Sequence, residues 1–376
     1  MSVSVFDVVG GQGCTFEDPP IKVTTRTMEN ACIRVRFDRN GQITSFFSRD
    51  LDREFIPDGA RANVFQFFED RPREWDAWEV DFNFEENMRT AGPPESIKVI
   101  ESGPVRGVLR MAYRFGESTI TQDVVMHIES PRLDFVTHVD WRERRTMWKA
   151  AFPMDLRALQ ATYEVQFGAV ERPTHRNRDA DEAQFEAPAQ RWADLSEGGA
   201  VGMSLLNDCK YGYDIRGNVM RITLLRSPVD PDPEADQGEH RFTYALFPHD
   251  GDWRAETVME AAALNTPMIT RLPDKHESPY GRWGAYVAVE GGIVLDTVKK
   301  AEDSDDLIVR FYEPHGQRAD AVVYPWGSAN KAWECDLMEE NDTPLPIVDG
   351  EVRLDVRPFE IRTLKFRSPK GTPKAE

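Results

Sequence analysis

Three consecutive runs, Val105 to Arg114, Ser118 to Ile128 and Arg132 to Trp141, are built on alternating apolar and polar side chains. A period of two fits a strand with one buried face and is out of step with the 3.6-residue turn of a helix. Gly116-Glu117 and Ser130-Pro131 separate the runs, as breakers of regular structure should. The signal recurs at Cys32 to Phe37, which turns through Asp38-Arg39-Asn40-Gly41 and resumes at Ile43. Asn-Gly between alternating runs is a hairpin signal, because both residues tolerate positive φ. Near the end, Asp349-Gly350 precedes Val352, Leu354 and Val356 on one face. Trp253 to Leu264, with Val258, Ala261, Ala262 and Leu264 to one side, is the main helical candidate and stops before Pro267. Many strands between short polar turns predict an all-β chain made of sandwiches rather than a small barrel.

A chain of 376 residues has room for two domains. Residues 1–28, with Gly10, Gly11 and Gly13, read as a frayed lead-in, and residues 29–268 as a large β-sandwich. The stretch around Pro267, Pro273 and Pro279 reads as a linker or bridging loop, placed at residues 269–292. Residues 293–367 then form a small β-sandwich, and residues 368–376 a disordered tail.

The net charge of −19 disfavours nucleic acid and anionic membrane as partners, since both repel an acidic surface. Cys14, Cys32, Cys209 and Cys335 are scattered without CxxC spacing, so they suggest neither a disulfide framework nor a zinc ribbon. The first residues lack a basic segment followed by an apolar one, and no run of about 18 apolar residues occurs. Cytoplasm is the expected compartment.

Two stretches carry the functional expectation. Phe68 to Trp78 packs Trp75 and Trp78 among Glu69, Asp70, Glu74, Asp76, Arg71 and Arg73. A buried strand does not tolerate that mixture, because unpaired charges are costly in a core. A sugar-binding surface does: an indole covers the apolar face of a pyranose while charged groups take its hydroxyls. Asp76 and Trp78 are the candidates there, although the i, i+3 spacing leaves room for one tryptophan to be core. The second stretch, Arg172-Pro173-Thr174-His175-Arg176-Asn177, follows the strand-like Tyr163 to Gly168. Its guanidiniums offer fixed forks of donors to a hydroxyl-rich ligand, with Arg172, His175 and Arg176 as candidates. The plain alternative is a solvated loop whose arginines pair with Asp179, Asp181 and Glu182. His138-Val139-Asp140 puts two possible metal ligands on one strand face, but no third is recognisable, and an ordinary strand is expected.

Glu69 to Asp81 (EDRPREWDAWEVD) resembles a segment of the C-terminal β-region of family 38 glycoside hydrolases, the α-mannosidases. Further matches follow in the family's order. They are Ser118 to Gln122, Arg172 to Asn177, Leu206 to Asp214, Leu224 to Pro228, Asp236 to His240 and Phe247 to His249. The resemblance runs from about Glu29 to about Phe366 and is strongest to the cytosolic and bacterial branch. It implies a large sandwich similar to galactose mutarotase and a role beside the mannoside cleft, to which this region supplies an arginine (Arg172 or Arg176) and an aromatic hydroxyl. It also implies that the zinc ligands and nucleophilic aspartate belong to N-terminal parts that this chain does not resemble. The expected cofactor is therefore zinc in the complete enzyme and none in this chain, with no catalytic residue here.

Three readings follow. The first is a scaffolding and carbohydrate-contacting region of an α-mannosidase, whose partners are an α-mannoside and a catalytic domain on the same or a separate chain. The second is a stand-alone carbohydrate-binding protein. The third is a mutarotase-like aldose epimerase, which needs a histidine and a carboxylate converging on a concave face. An apolar patch that normally meets a neighbouring domain would also favour a homo-oligomer.

Overall fold

The computed structural model describes residues 2–4, 19–270, 283–285, 287–325 and 329–368. The glycines at 10, 11 and 13, Cys14, Pro273, Pro279 and the tail beyond Ser368 lie outside the described residues. The chain is all-β and separates into two units, one made of Cys14–Glu164 and Val170–Pro267, the other of Met1–Gly13, Val165–Ala169 and Met268–Glu376.

The larger unit is organised by a nine-stranded antiparallel sheet. In spatial order its strands are Gly168–Pro173, Gln160–Val165, Trp192–Glu197, Val201–Asn207, Gly238–Asp250, Leu133–Trp141, Ser118–His127, Arg106–Phe115 and Ser96–Ser102. A six-stranded sheet runs Ala187–Pro188, Gly212–Arg216, Val219–Arg226, Thr146–Pro153, Val64–Glu69, Met88–Thr90. A five-stranded sheet of Lys22–Val23, Thr27–Glu29, Ile33–Phe37, Ile43–Ser48 and Arg53–Glu54 completes it.

One apolar cluster draws on all three sheets, which is why they form a single core. Phe67 stacks on Phe115 at 3.6 Å, and Trp148 stacks on Trp141 at 5.8 Å, joining the six- and nine-stranded sheets through aromatic faces. Each fully buried ring of this kind stabilises the fold by about 1.5–3 kcal/mol. The core also holds a closed polar ring. Asn63 Nδ2 donates to Gln122 Oε1 (2.7 Å), Gln122 Nε2 to Tyr244 OH (2.8 Å), and Tyr244 OH to Asn63 Oδ1 (2.7 Å). With every member satisfied, the ring costs little and fixes the register of the strands that carry it.

The three alternating runs form strands that pair in succession. The two turn signals behave differently. At Asp349-Gly350 both residues take positive φ, 51° and 84°, as the primed turn requires. At Asn40-Gly41 only Gly41 does, at 75°, because Asp38 Oδ1 captures the Asn40 and Gln42 N–H groups and makes a longer loop. The helix is shorter than the periodicity predicts, Thr257–Asn265, since Asp252 Oδ1 accepts from Arg254 N and holds the residues after Trp253 in a turn. In the smaller unit a three-stranded and a five-stranded sheet enclose Val309, Phe311, Val323, Val352, Leu364 and Phe366. There Ser2–Ser4 pairs with Trp283–Ala285.

Candidate functional site

Alternation along Thr146–Pro153 sends Trp148, Ala150 and Phe152 into the main core and Lys149 to the other side of the six-stranded sheet. Lys149 is nevertheless fully buried. Its ammonium pairs with Asp214 Oδ2 at 2.8 Å and with Glu186, and lies 5.0 Å from the Phe84 ring. Burial presses Lys149 towards its neutral form, but Asp214 and Glu186 outweigh it and hold its pKa above the ordinary lysine value. Burial pushes the Glu186 carboxyl up, against the pull of Lys149. Arg221 extends the cluster: its Nε meets Asp214 Oδ1 at 2.6 Å, and its Nη2 meets Glu85.

Glu85 links this cluster to a small, solvent-open cleft beside it. Arg216 Nη1 and Arg176 Nη1 stand 3.5 and 3.8 Å from Glu85 Oε2. The cleft is lined by Tyr163, Arg172, His175, Arg176, Gln184, Phe185 and Arg216, among others. Thr174 fixes the loop that carries them. Its hydroxyl donates to Ala158 O (2.7 Å), its N–H to Leu159 O (3.0 Å), and its carbonyl accepts from Gly217 N (2.7 Å). Arg172 Nη1 donates to Gln184 Oε1 at 3.3 Å, while its Nε is buried without a hydrogen-bond partner. His175 Nδ1 is 3.6 Å from Asp181 Oδ2, too far for a good hydrogen bond. Arg178 takes Asp181 in a forked pair of 2.6 and 3.0 Å and holds its carboxyl below the usual range. Burial also keeps the Tyr163 hydroxyl protonated at any physiological pH. The arrangement therefore presents several donors and an aromatic wall to one concavity. The structure brings Arg172, His175 and Arg176 together there, with Asp181 drawn off by Arg178.

Asp76 and Trp78 lie on the loop after Glu69, which is anchored by its acids. Asp70, 2% exposed, takes Arg226 Nε at 2.5 Å, and Arg226 Nη2 donates onward to Asp76 O at 2.9 Å. Asp76 is itself 8% exposed. Its carboxylate accepts from Arg145 Nη1 at 3.0 Å and from Val229 N at 2.7 Å. It faces inward as an anchor, whereas sequence reasoning placed it outward beside Trp78. Neither tryptophan is core: Trp75 and Trp78 are 62% and 67% exposed, with rings 6.2 Å apart at 73°. Phe84, further along, stacks on Phe185 at 5.9 Å, so the loop and the cleft share a wall.

Sequence reasoning missed Lys149, Asp214, Arg221, Glu85 and Arg216. A signal was present: Lys149, Asp214 and Arg221 each interrupt an otherwise apolar strand segment. Gly212–Arg216 is a strand, with Tyr213 fully buried and its hydroxyl receiving Asn207 Nδ2. His138 is exposed and Asp140 pairs with Arg142 at 2.7 Å. Among the described residues no three His, Cys, Asp or Glu side chains gather in a way that could hold a metal ion.

Comparison with known proteins gives a consistent picture. The pattern of the glycosyl hydrolases family 38 C-terminal domain matches residues 28–234, and that of the family 38 C-terminal beta sandwich domain matches residues 292–364. Alpha-mannosidase 2C1 of Homo sapiens is 40% identical over 346 residues, 90% of this chain and 33% of that protein. Alpha-mannosidase G of Dictyostelium discoideum is 35% identical, covering 91% of this chain and 32% of its own length. The chain thus spans about one third of these relatives. The crystal structure of an alpha-mannosidase from Enterococcus faecalis V583 superposes with a TM-score of 0.76 at 20% identity, covering 96% of this chain and 44% of that one, a likeness of fold.

Proposed function

Because the chain belongs to glycosyl hydrolase family 38, matching its C-terminal domains, we propose that it is the scaffolding and cleft-forming β-region of an α-mannosidase. The observation that carries this reading is the 40% identity to an α-mannosidase over 90% of the chain. In the complete enzyme a catalytic domain, on the same or a separate chain, would supply the zinc-assisted, retaining hydrolysis of terminal α-mannosides. No step of that chemistry is assigned to residues numbered here.

The role assigned to this region is contact with the sugar. Arg172 and Arg176 offer forked N–H donors to vicinal hydroxyls, and His175 adds one ring nitrogen at the same concavity. Trp78 offers an exposed indole to the apolar face of a sugar. Asp76 enters the proposal through the loop it anchors. We place the protein in the cytoplasm, in keeping with the free thiols of Cys32, Cys209 and Cys335 among the described residues. No helix of the described residues is long and apolar enough to cross a membrane. Self-association through exposed Trp75, Trp78 and Phe82 is part of the reading, and light scattering of Trp75→Ala/Trp78→Ala beside the unaltered chain checks it: the altered chain should be the smaller species.

The test is release of an aryl leaving group from an α-mannoside by the purified chain, with added zinc and with a chelator. The expected result is no turnover in either condition, and turnover on addition of a zinc-loaded catalytic domain. Metal-dependent turnover by the chain alone would place a catalytic site within it and overturn the assignment.

A further inference from the structure

The charge balance of the cleft goes beyond what a neutral mannoside requires. Arg172, Arg176 and Arg216 line one concavity in a chain whose net charge is −19. Glu85 is the carboxylate nearest two of them, at 3.5 and 3.8 Å, and it is also the partner of Arg221. Arg172 has only the neutral Gln184 amide as a side-chain partner among the described residues, and its Nε is buried and unsatisfied. Asp181, the acid on the cleft wall, is occupied by Arg178. Clustered like charges repel, and a buried N–H without a partner is costly. Both costs fall when an anion enters, and a planar guanidinium matches the oxygens of a phosphate or carboxylate in a forked pair.

We propose that the cleft formed by Arg172, Arg176 and Arg216 binds a small oxyanion, with a phosphate monoester as its chemical type. His175 adds a ring nitrogen to the same wall, and Tyr163 keeps a protonated hydroxyl as a further donor. Free phosphate and a sugar phosphate share this chemistry, and the source is set by whether the sugar adds affinity.

The experiment is calorimetric titration of the full chain at low ionic strength with inorganic phosphate, mannose 6-phosphate and mannose. Mannose 6-phosphate should bind at least about tenfold more tightly than mannose, and added salt should weaken it. Arg172→Gln should lose about tenfold in affinity for the phosphate ligands, with Arg172→Lys recovering part of it. Arg216→Gln, at a more exposed position, provides a second variant if the first fails to fold. Equal affinity for inorganic phosphate and the sugar phosphate assigns recognition to the anion alone; tighter sugar phosphate adds a contribution from the ring. Either supports the site. Mannose 6-phosphate binding no better than mannose, or affinity unchanged in folded Arg172→Gln and Arg216→Gln, overturns it. Binding of neutral mannose without phosphate preference would leave the mannosidase reading standing, so the two fail separately.

Discussion

In the loop after Glu69 the acids are buried and the aromatics exposed, whereas in the cleft after Gly168 the aromatics form walls and the cations face the concavity. Asp70 and Asp76 spend their oxygens on Arg226, Arg145 and the Val229 N–H, leaving Trp75 and Trp78 as the loop's outer surface. In the cleft, Asp181 is held by Arg178, while Arg172 keeps an unsatisfied N–H. The difference separates two uses of charge. Paired and buried, a carboxylate positions a loop; half-buried and without an acidic partner, a guanidinium keeps donors free for the ligand proposed above.

The comparison can be broken by mutation. Lys149→Met takes the cation from half-buried Glu186 and leaves buried Asp214 to Arg221 alone, and should cost about 3–5 kcal/mol in urea unfolding. It should also disturb the cleft wall through Phe84 and Glu85. Asp76→Ala strands the Val229 N–H and releases Arg145, and should cost about 1–3 kcal/mol. Trp78→Ala removes a side chain that is mostly in solvent, so stability should change by less than about 0.5 kcal/mol. If Trp78→Ala proved as destabilising as Asp76→Ala, the division between anchoring acids and presenting aromatics would be wrong.

A pH series sharpens the same point at a third pair. His249 is buried, with Nε2 2.7 Å from Asp194 Oδ2, and Asp194 also accepts from Ser204 at 2.8 Å. Burial presses the imidazole pKa down, but the hydrogen bond and charge of Asp194 outweigh it, and the pKa lies above the ordinary histidine value. The pair therefore stabilises fully below the unfolded histidine pKa of about 6.5, and that contribution is lost as pH rises through the folded value. The stability difference between the unaltered chain and His249→Gln should shrink across that window. A difference independent of pH would mean that the imidazole stays neutral.

The all-β class and the succession of strands were legible because alternation is a local signal, and burial of one sheet face enforces it. The Arg172-to-Arg176 cluster stood out as a group of donors, with a solvated loop as the plain alternative. Its surroundings did not. Glu85 and Arg216 are 131 residues apart in sequence and meet only because the short helical turn Phe84–Asn87 comes beside the end of the strand Gly212–Arg216. Lys149 was visible as an anomaly within Trp148-Lys149-Ala150, but its partners come from different segments, so sequence could not name them. Asp76 was misplaced because a carboxylate beside two indoles looks the same on paper whether it faces a sugar or an arginine.

The most direct test of the cleft as the sugar-facing surface is titration of mannobiose into the unaltered chain, Arg172→Gln and Trp78→Ala. The account predicts saturable binding by the unaltered chain. Affinity should fall by about tenfold or more in Arg172→Gln and by less in Trp78→Ala. Absence of binding to the unaltered chain, or loss confined to Trp78→Ala, would contradict it.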